Sequence, residues 1–202
     1  MLEERFAAIE LGPIVRLQIQ TQPLRVGDGD DRWYDIRWLA ALPALRLTTE
    51  GIIGLADGQE QLDVHHVAHP RSRSGRPRGK ENSISFNVTA HYTQITRQYG
   101  DHMWPGSGGE NILIETNTPV SPADFQRGLL IQTAGGLIHL THVNAAVPCV
   151  PFARFALHKP HRPAVELVKN ALVFLGDGMR GFYAAYDGAP VEVRVGDWAY
   201  LL

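Results

Sequence analysis

The sequence predicts a β-rich α+β fold, a curved or closed sheet with two or three helices set irregularly among its strands. Three observations carry that prediction. Short runs with a two-residue apolar period recur along the chain, most of them bounded by glycine, aspartate or asparagine, which is strand and turn chemistry. Only a few stretches have the 3.6-residue helical period, and they do not alternate with the strands as a doubly wound parallel sheet requires. No repeat, low-complexity tract or linker divides the 202 residues, so one domain over residues 1–202 is expected. A globule of that length buries roughly 70% of the surface its unfolded chain exposes.

The elements follow in order. Between Ile14 and Gln20, the apolar Val15, Leu17 and Ile19 alternate with polar residues and predict a half-buried strand. Gly27 to Asp31 (GDGDD) predicts a turn, and Trp33, Tyr34 and Trp38 beyond it supply a large apolar area to the core, to a rim or to a ligand. Leu45 to Leu55 reads as a hairpin about Thr48 to Gly51. Asp57 to Asn82 is rich in glycine, proline and charge, and long enough to be a functional loop. Thr89 predicts the capped start of a helix with the stripe Tyr92, Ile95 and Tyr99, which Gly100 stops.

Gly106 to Asn111 (GSGGEN) is a tight turn into the strand Ile112 to Glu115. Ser121, Pro122 and Asp124 have the order of a helix start, and Gly128 keeps that helix short. Leu129 to Ile131 and Leu137 to Val143 form a hairpin about Gly135 and Gly136. Residues 162–175 carry the strongest helical signal, with a broad apolar face from Ala164 to Leu175 ended by Gly176. Runs over 182–186, 191–195 and 198–202 predict three closing strands.

Composition bounds the function. The chain has 19 basic and 21 acidic residues, a formal charge of -2, so no global field recruits nucleic acid or an anionic membrane. The run Trp38 to Leu45 falls far short of the ~20 residues of a membrane span. The acidic N-terminus does not read as a secretory signal. A single cysteine excludes an internal disulfide and a zinc site of cysteines alone, so the cytoplasm is the expected compartment.

Three clusters could carry chemistry. Cys149 lies between Pro148 and Pro151, which stiffen the backbone and hold the thiol in an extended turn. It is either a rigidly aimed metal or sulfur ligand or a small buried hydrophobe. Asp63 precedes His65, His66 and His69, which could hold a divalent metal such as zinc in a hydrolase, or be structural. Arg71, Arg73, Arg76, Arg78 and Lys80 follow without an acid before Glu81. They could close on a phosphorylated ligand, as a non-catalytic anion-binding module would, or face water. The glycines of Gly106 to Asn111 lack the lysine of a P-loop, and neither a dinucleotide fingerprint nor a GxSxG elbow is present.

Four stretches in order carry a resemblance: Asp63 to Arg73 (DVHHVAHPRSR), Gly109 to Leu113 (GENIL), Pro148 and Cys149 leading to Phe155, and Leu175 to Ala184 (LGDGMRGFYA) before the turn Val195 to Asp197. Together they resemble the MOSC domain, the module named after the C-terminal part of molybdenum cofactor sulfurases. The motif-bearing part covers about residues 50–202, with the N-terminal strands completing the same barrel.

The resemblance implies a MOSC-like β-barrel with a few flanking helices, and a pocket in which Cys149 is the catalytic residue and the ligand of molybdenum or sulfur. The cofactor implied is molybdenum cofactor (molybdopterin), whose phosphate makes Arg71, Arg73, Arg154 and Arg180 candidate partners, with His65, His66, His69 and Asn111 around it. The expected activities are a sulfur carrier, or a small molybdoenzyme that reduces N-hydroxylated compounds with an external electron or sulfur donor protein. The family's larger members add a pyridoxal-phosphate desulfurase or a redox domain, so pyridoxal phosphate is not expected here. Where many members have an arginine before the Pro-Cys pair, this chain has Asn144 to Val147 (NAAV).

Overall fold

The computed structural model describes residues 8–71, 83–159 and 163–202. In chain order the strands are β1 (Ile9–Gln20), β2 (Arg25–Val26), β3 (Trp33–Tyr34), β4 (Leu39–Leu42), β5 (Ala44–Thr48), β6 (Gly51–Ala56), β7 (Gln59–Leu62) and β8 (Ile84–Val88). Helix α1 (Thr89–Tyr99) leads to β9 (Ile112–Ile114), β10 (Leu129–Thr133) and β11 (Gly136–Ala145). Helices α2 (Val150–Ala156) and α3 (Val165–Phe174) precede β12 (Phe182–Ala185), β13 (Val191–Arg194) and β14 (Trp198–Leu201).

Seven strands close a barrel in the order β1, β14, β10, β11, β12, β8, β9 and back to β1. The β-rich barrel with flanking helices expected from the sequence is therefore present. All its pairings are antiparallel except β8 with β9, and a parallel pair needs a crossover, which α1 supplies. Strand β1 pairs with β14 through its first half and with β9 and β4 through its second. Gly12 permits this crowded path, because a Cβ there would sit 1.9 Å from the Glu115 carbonyl oxygen.

The buried face of β1 corrects the simple alternation. Val15 is exposed, whereas Ile14, Leu17 and Ile19 are buried. A bulge between Ile14 and Arg16 shifts the register against β9 and turns Val15 outward. Inside the barrel Phe86, Phe125 and Phe182 pack with centroids 4.7 to 5.3 Å apart. Burying each such ring stabilises the fold by about 2 to 3 kcal/mol.

A second sheet, β13-β5-β6-β7, shares this core through Leu45, Leu47, Ile52 and Val193. A Cβ on Gly54 would meet Leu42 at 2.2 Å, so the sheet approaches closely only because that residue is glycine. Helices α1 and α2 and the β2-β3 ribbon bury a separate cluster of Tyr34, Tyr92, Met103, Phe152 and Leu175. Helix α3 packs on α2 through Ala153, Val168 and Ala171.

Several local expectations change. Thr89 opens α1 but does not cap it: the capping position is Val88, and the Thr89 hydroxyl instead donates to the Thr116 carbonyl at 2.9 Å. Gly100 stops that helix as expected, with a positive φ of 103°. Strand β7 lies inside the polar stretch expected to be loop, with three of its four side chains exposed. Helix α3 is shorter than the predicted 162–175, and only Val168 and Ala171 of it are buried, so most of the apolar face faces outward. Helix α2 is new, since Pro151 in its first turn fixes a helical φ and does not interrupt it. Among the described residues no helix is long and apolar enough to cross a membrane.

Candidate functional site

A cleft of about 620 Å³ opens where the β11-α2 connection, the start of β8, the turn ending at Asn111 and the turn carrying Arg180 converge. The structure brings Cys149, His65, Arg71, Asn111 and Arg180 to its walls.

Cys149 occupies the extended N-cap position of α2, with φ -108° and ψ 159°, and its carbonyl accepts the first helical hydrogen bond from Ala153. The two prolines thus hold it extended, as expected, at a helix start that was not. Its free thiol is half-buried, packed against the Tyr34 cluster on one side and lining the cleft on the other.

Arg180 follows the turn after α3. Its guanidinium carbon stands 4.8 Å over the Phe152 ring, and Nη1 makes only long contacts of 3.4 Å to the Val147 carbonyl and the Tyr183 hydroxyl. Nε is buried without a partner. Burial works against the charge, but Tyr183, Tyr34 and Cys149 around it outweigh that effect and hold its pKa above the ordinary guanidinium value. A cation held beside a thiol, with a donor unused, is the chemistry of an anion or thiolate site.

Beneath this wall lies Glu110, which is buried. Its Oε2 accepts from the Tyr92 hydroxyl at 2.9 Å, and Oε1 is buried without a partner. Burial pushes its carboxyl up to about 7, against the opposing pull of its backbone hydrogen bond, Tyr92, Arg180 and Arg16. The Tyr92 hydroxyl in turn accepts from Gly108 N at 2.8 Å, and the Tyr34 hydroxyl donates to the Gly108 carbonyl at 2.6 Å. Burial raises the pKa of both phenols. Gly109, with φ +84°, leaves room for Leu24 and the Tyr34 hydroxyl. The glycines therefore serve close approach of side chains to the backbone. Gln18, buried on β1, fixes the same turn by donating to the Gly106 and Glu110 carbonyls at 2.7 and 2.8 Å.

The opposite side is built on Asp63. Its Oδ1 accepts from His65 N and His65 Nδ1, both at 2.8 Å. Its Oδ2 accepts from Gln20 N at 2.8 Å and from Asn111 Nδ2 at 3.1 Å. Burial pushes the carboxyl up, but the His65 hydrogen bond and charge and the two backbone N–H groups prevail, and the net shift is down. Asn111 has no unused group: its amide also donates to the Gln18 carbonyl, and its oxygen accepts from Ser85 N and Oγ. It is a brace of the cleft wall.

Three predicted residues do not reach the cleft, whose lining excludes His66, His69 and Arg154. His66 is buried over Gly51, where a Cβ would come 2.9 Å from its Cα, and its Nδ1 accepts from Ala68 N. His69 Nδ1 accepts from Arg71 N. Arg154 donates from Nη1 to the Asp30 carbonyl at 2.6 Å, pinning the turn before β3 to α2. The zinc site expected of the three histidines is not assembled: among the described residues no three His, Cys, Asp or Glu side chains could hold a metal ion. Arg73, Arg76, Arg78 and Lys80 lie outside the described residues.

Tyr34, Tyr92, Glu110, Gln18 and Tyr183 were not assigned to the site from sequence. The signal for Glu110 was the glycine run before it, which marks a place where backbone and side chains crowd.

No family model matches the chain, and no curated protein matches its sequence. Among solved structures, the YuaD protein from Bacillus subtilis is 14% identical, with 96% of each chain covered and a TM-score of 0.51. A hypothetical protein is 13% identical over 95% of this chain and 67% of its own, with a TM-score of 0.52. YiiM from Escherichia coli is 14% identical over 94% of this chain and 69% of its own, with a TM-score of 0.49. At these identities the likeness to the first two concerns the fold alone.

Proposed function

We propose that this chain is a MOSC-type protein that binds molybdenum cofactor in the cleft, with Cys149 as its metal or sulfur ligand. The observation that carries the proposal is the wall on which a half-buried thiol stands beside a cation with an unpartnered buried Nε. Those residues fit the group. A thiolate is a soft, strong donor for molybdenum, and guanidinium groups suit phosphate oxygens. Cys149 would hold the metal, with Arg180 and Arg71 at the phosphate and Arg73 as a further partner. When bound, the cofactor supplies a two-electron redox centre.

Of the two activities open to such a protein, Glu110 favours the reductase. Cleaving the N–O bond of an N-hydroxylated compound consumes protons, whereas carrying sulfur as a persulfide needs no resident acid. A buried carboxyl with its pKa pushed up to about 7 and an unpartnered Oε1 is protonated in about half of the molecules at neutral pH, beside the thiol wall. Tyr92 fixes the other oxygen, so the proton is presented from Oε1. The electrons would come from an external donor protein.

Elemental analysis of protein made in a cofactor-competent host tests this reading. Molybdenum near one per chain that disappears in Cys149→Ala is the expected result. Protein without molybdenum that binds inorganic phosphate through Arg71 and Arg180 would replace it with an anion-binding module.

A further inference from the structure

The guanidinium of Arg180 has contacts that tolerate several positions: the face of Phe152, the Tyr34 hydroxyl and two bonds of 3.4 Å, with Nε unpartnered. Its place on the cleft wall is therefore inherited from the backbone turn of residues 176–181. That turn rests on β8. Gly181, with φ +108°, leaves no room for a Cβ, which would lie 2.7 Å from the Phe86 carbonyl oxygen and 3.2 Å from Asn87 Cβ. Next to it, Asn87 Nδ2 donates to the Met179 carbonyl at 3.3 Å, immediately before Arg180 in the chain.

Asn87 is fully buried, and its amide is itself oriented. Its Oδ1 accepts from Val88 N and from His91 Nδ1, both at 2.8 Å. A backbone N–H can face only the oxygen of the amide, which leaves Nδ2 for Met179. Without those two donors the amide could turn over and set its oxygen against the Met179 carbonyl. His91, buried on α1, is fixed in turn: its Nε2 lies against the Val120 backbone, 2.9 Å from the carbonyl oxygen and 3.3 Å from the nitrogen. The backbone of Gly178, inside the Arg180 turn, also hydrogen-bonds this ring.

We propose that Asn87 and His91 are positioning residues of the anion site, which through the Met179 carbonyl fix the turn that sets Arg180 on the cleft wall. The proposal rests on the reading above that Arg180 meets the cofactor's phosphate, and it names what tunes that affinity. Neither residue lines the cleft, so their effect on a ligand runs through Arg180.

Asn87→Leu keeps the volume and removes all three hydrogen bonds of the amide. In the cofactor-free chain its affinity for inorganic phosphate falls about tenfold in calorimetry, and the Arg180 Nε–H signal in proton–nitrogen spectra moves towards that of a free arginine. If that variant does not fold, a pair of changes at His91 decides. His91→Leu removes the donor that orients the amide and weakens phosphate binding about fivefold or more. His91→Asn sets an amide N–H where Nδ1 stood and restores the wild-type affinity, although it too gives up the contact with Val120. A merely structural role gives no such rescue. Wild-type affinity together with an unmoved Arg180 signal, in Asn87→Leu or in His91→Leu, overturns the proposal. Phosphate binding that survives Arg180→Met overturns the reading of Arg180 as a phosphate partner, while the Arg180 signal still decides whether Asn87 and His91 fix its turn.

Discussion

The two sides of the cleft solve the burial of a carboxylate in opposite ways. Asp63 is met by four donors and its pKa falls, whereas Glu110 has one oxygen on Tyr92, one without a partner, and a pKa raised to about 7. A carboxylate with every direction filled belongs to the scaffold. One buried and half-satisfied, beside an arginine whose Nε is also unpartnered, marks a surface prepared for something else.

The comparison is most exposed to attack at Asp63. Asp63→Ala strands Gln20 N and His65 N and leaves Asn111 Nδ2 only its bond to the Gln18 carbonyl, and is expected to lower stability by about 4 kcal/mol in chemical denaturation, the usual scale for removing one partner from a buried charged network. A loss below about 1 kcal/mol would deny that the network is structural.

The next largest effect separates the two carboxylates by sign. Glu110 has a folded pKa above its unfolded one, so its contribution is complete below about 4.5 and is lost as pH rises through about 7. Between about pH 4.5 and pH 8 that amounts to roughly 3 kcal/mol, and Glu110→Gln should abolish this slope in melts measured across the range. Asp63 runs the other way. Its folded pKa is depressed, so its contribution is present above the ordinary carboxylate range and fades only as pH falls below it. A Glu110→Gln variant with the wild-type slope would erase the distinction.

On the cleft wall, function and stability should part. Arg180→Met removes a guanidinium that stands over Phe152 and interacts with Tyr34 and Tyr183, so stability should fall by about 1 to 2 kcal/mol while phosphate affinity falls about tenfold or more in calorimetry. The smallest effect on stability belongs to Cys149→Ala. The thiol is half-buried and bonded to nothing, so a change within about 0.5 kcal/mol is expected, set against complete loss of molybdenum by elemental analysis.

Local signals carried most of the architecture. The β10-β11 hairpin, the Gly100 stop of α1 and the Ser121 start followed from turn and capping chemistry, which acts over a few residues. The bulge at Ile14 was not legible, because it is imposed by a partner strand near residue 113. Helix α2 was hidden by its own prolines. The site was legible as far as motif order reached, placing Cys149, His65, Arg71, Asn111 and Arg180 about one cleft. The order of residues could not separate His65 from His66, adjacent in sequence yet facing cleft and core, nor show that Tyr34 from a remote ribbon would lie against Phe152 at a centroid distance of 5.0 Å.

The pairing of β1 with β14 also sets a timetable. Ile9 meets Leu201, so the barrel is sealed by a contact spanning nearly the whole chain, and such contacts form slowly because a long loop must close first. During synthesis the first strand emerges long before its partner, and its open edge can meet other nascent chains in the interval. The β5-β6-β7 meander has its pairings close at hand and can form meanwhile. Refolding at rising protein concentration should therefore lose yield to aggregation before the last seam is made, and a chaperone that shields β1 would be expected to restore it.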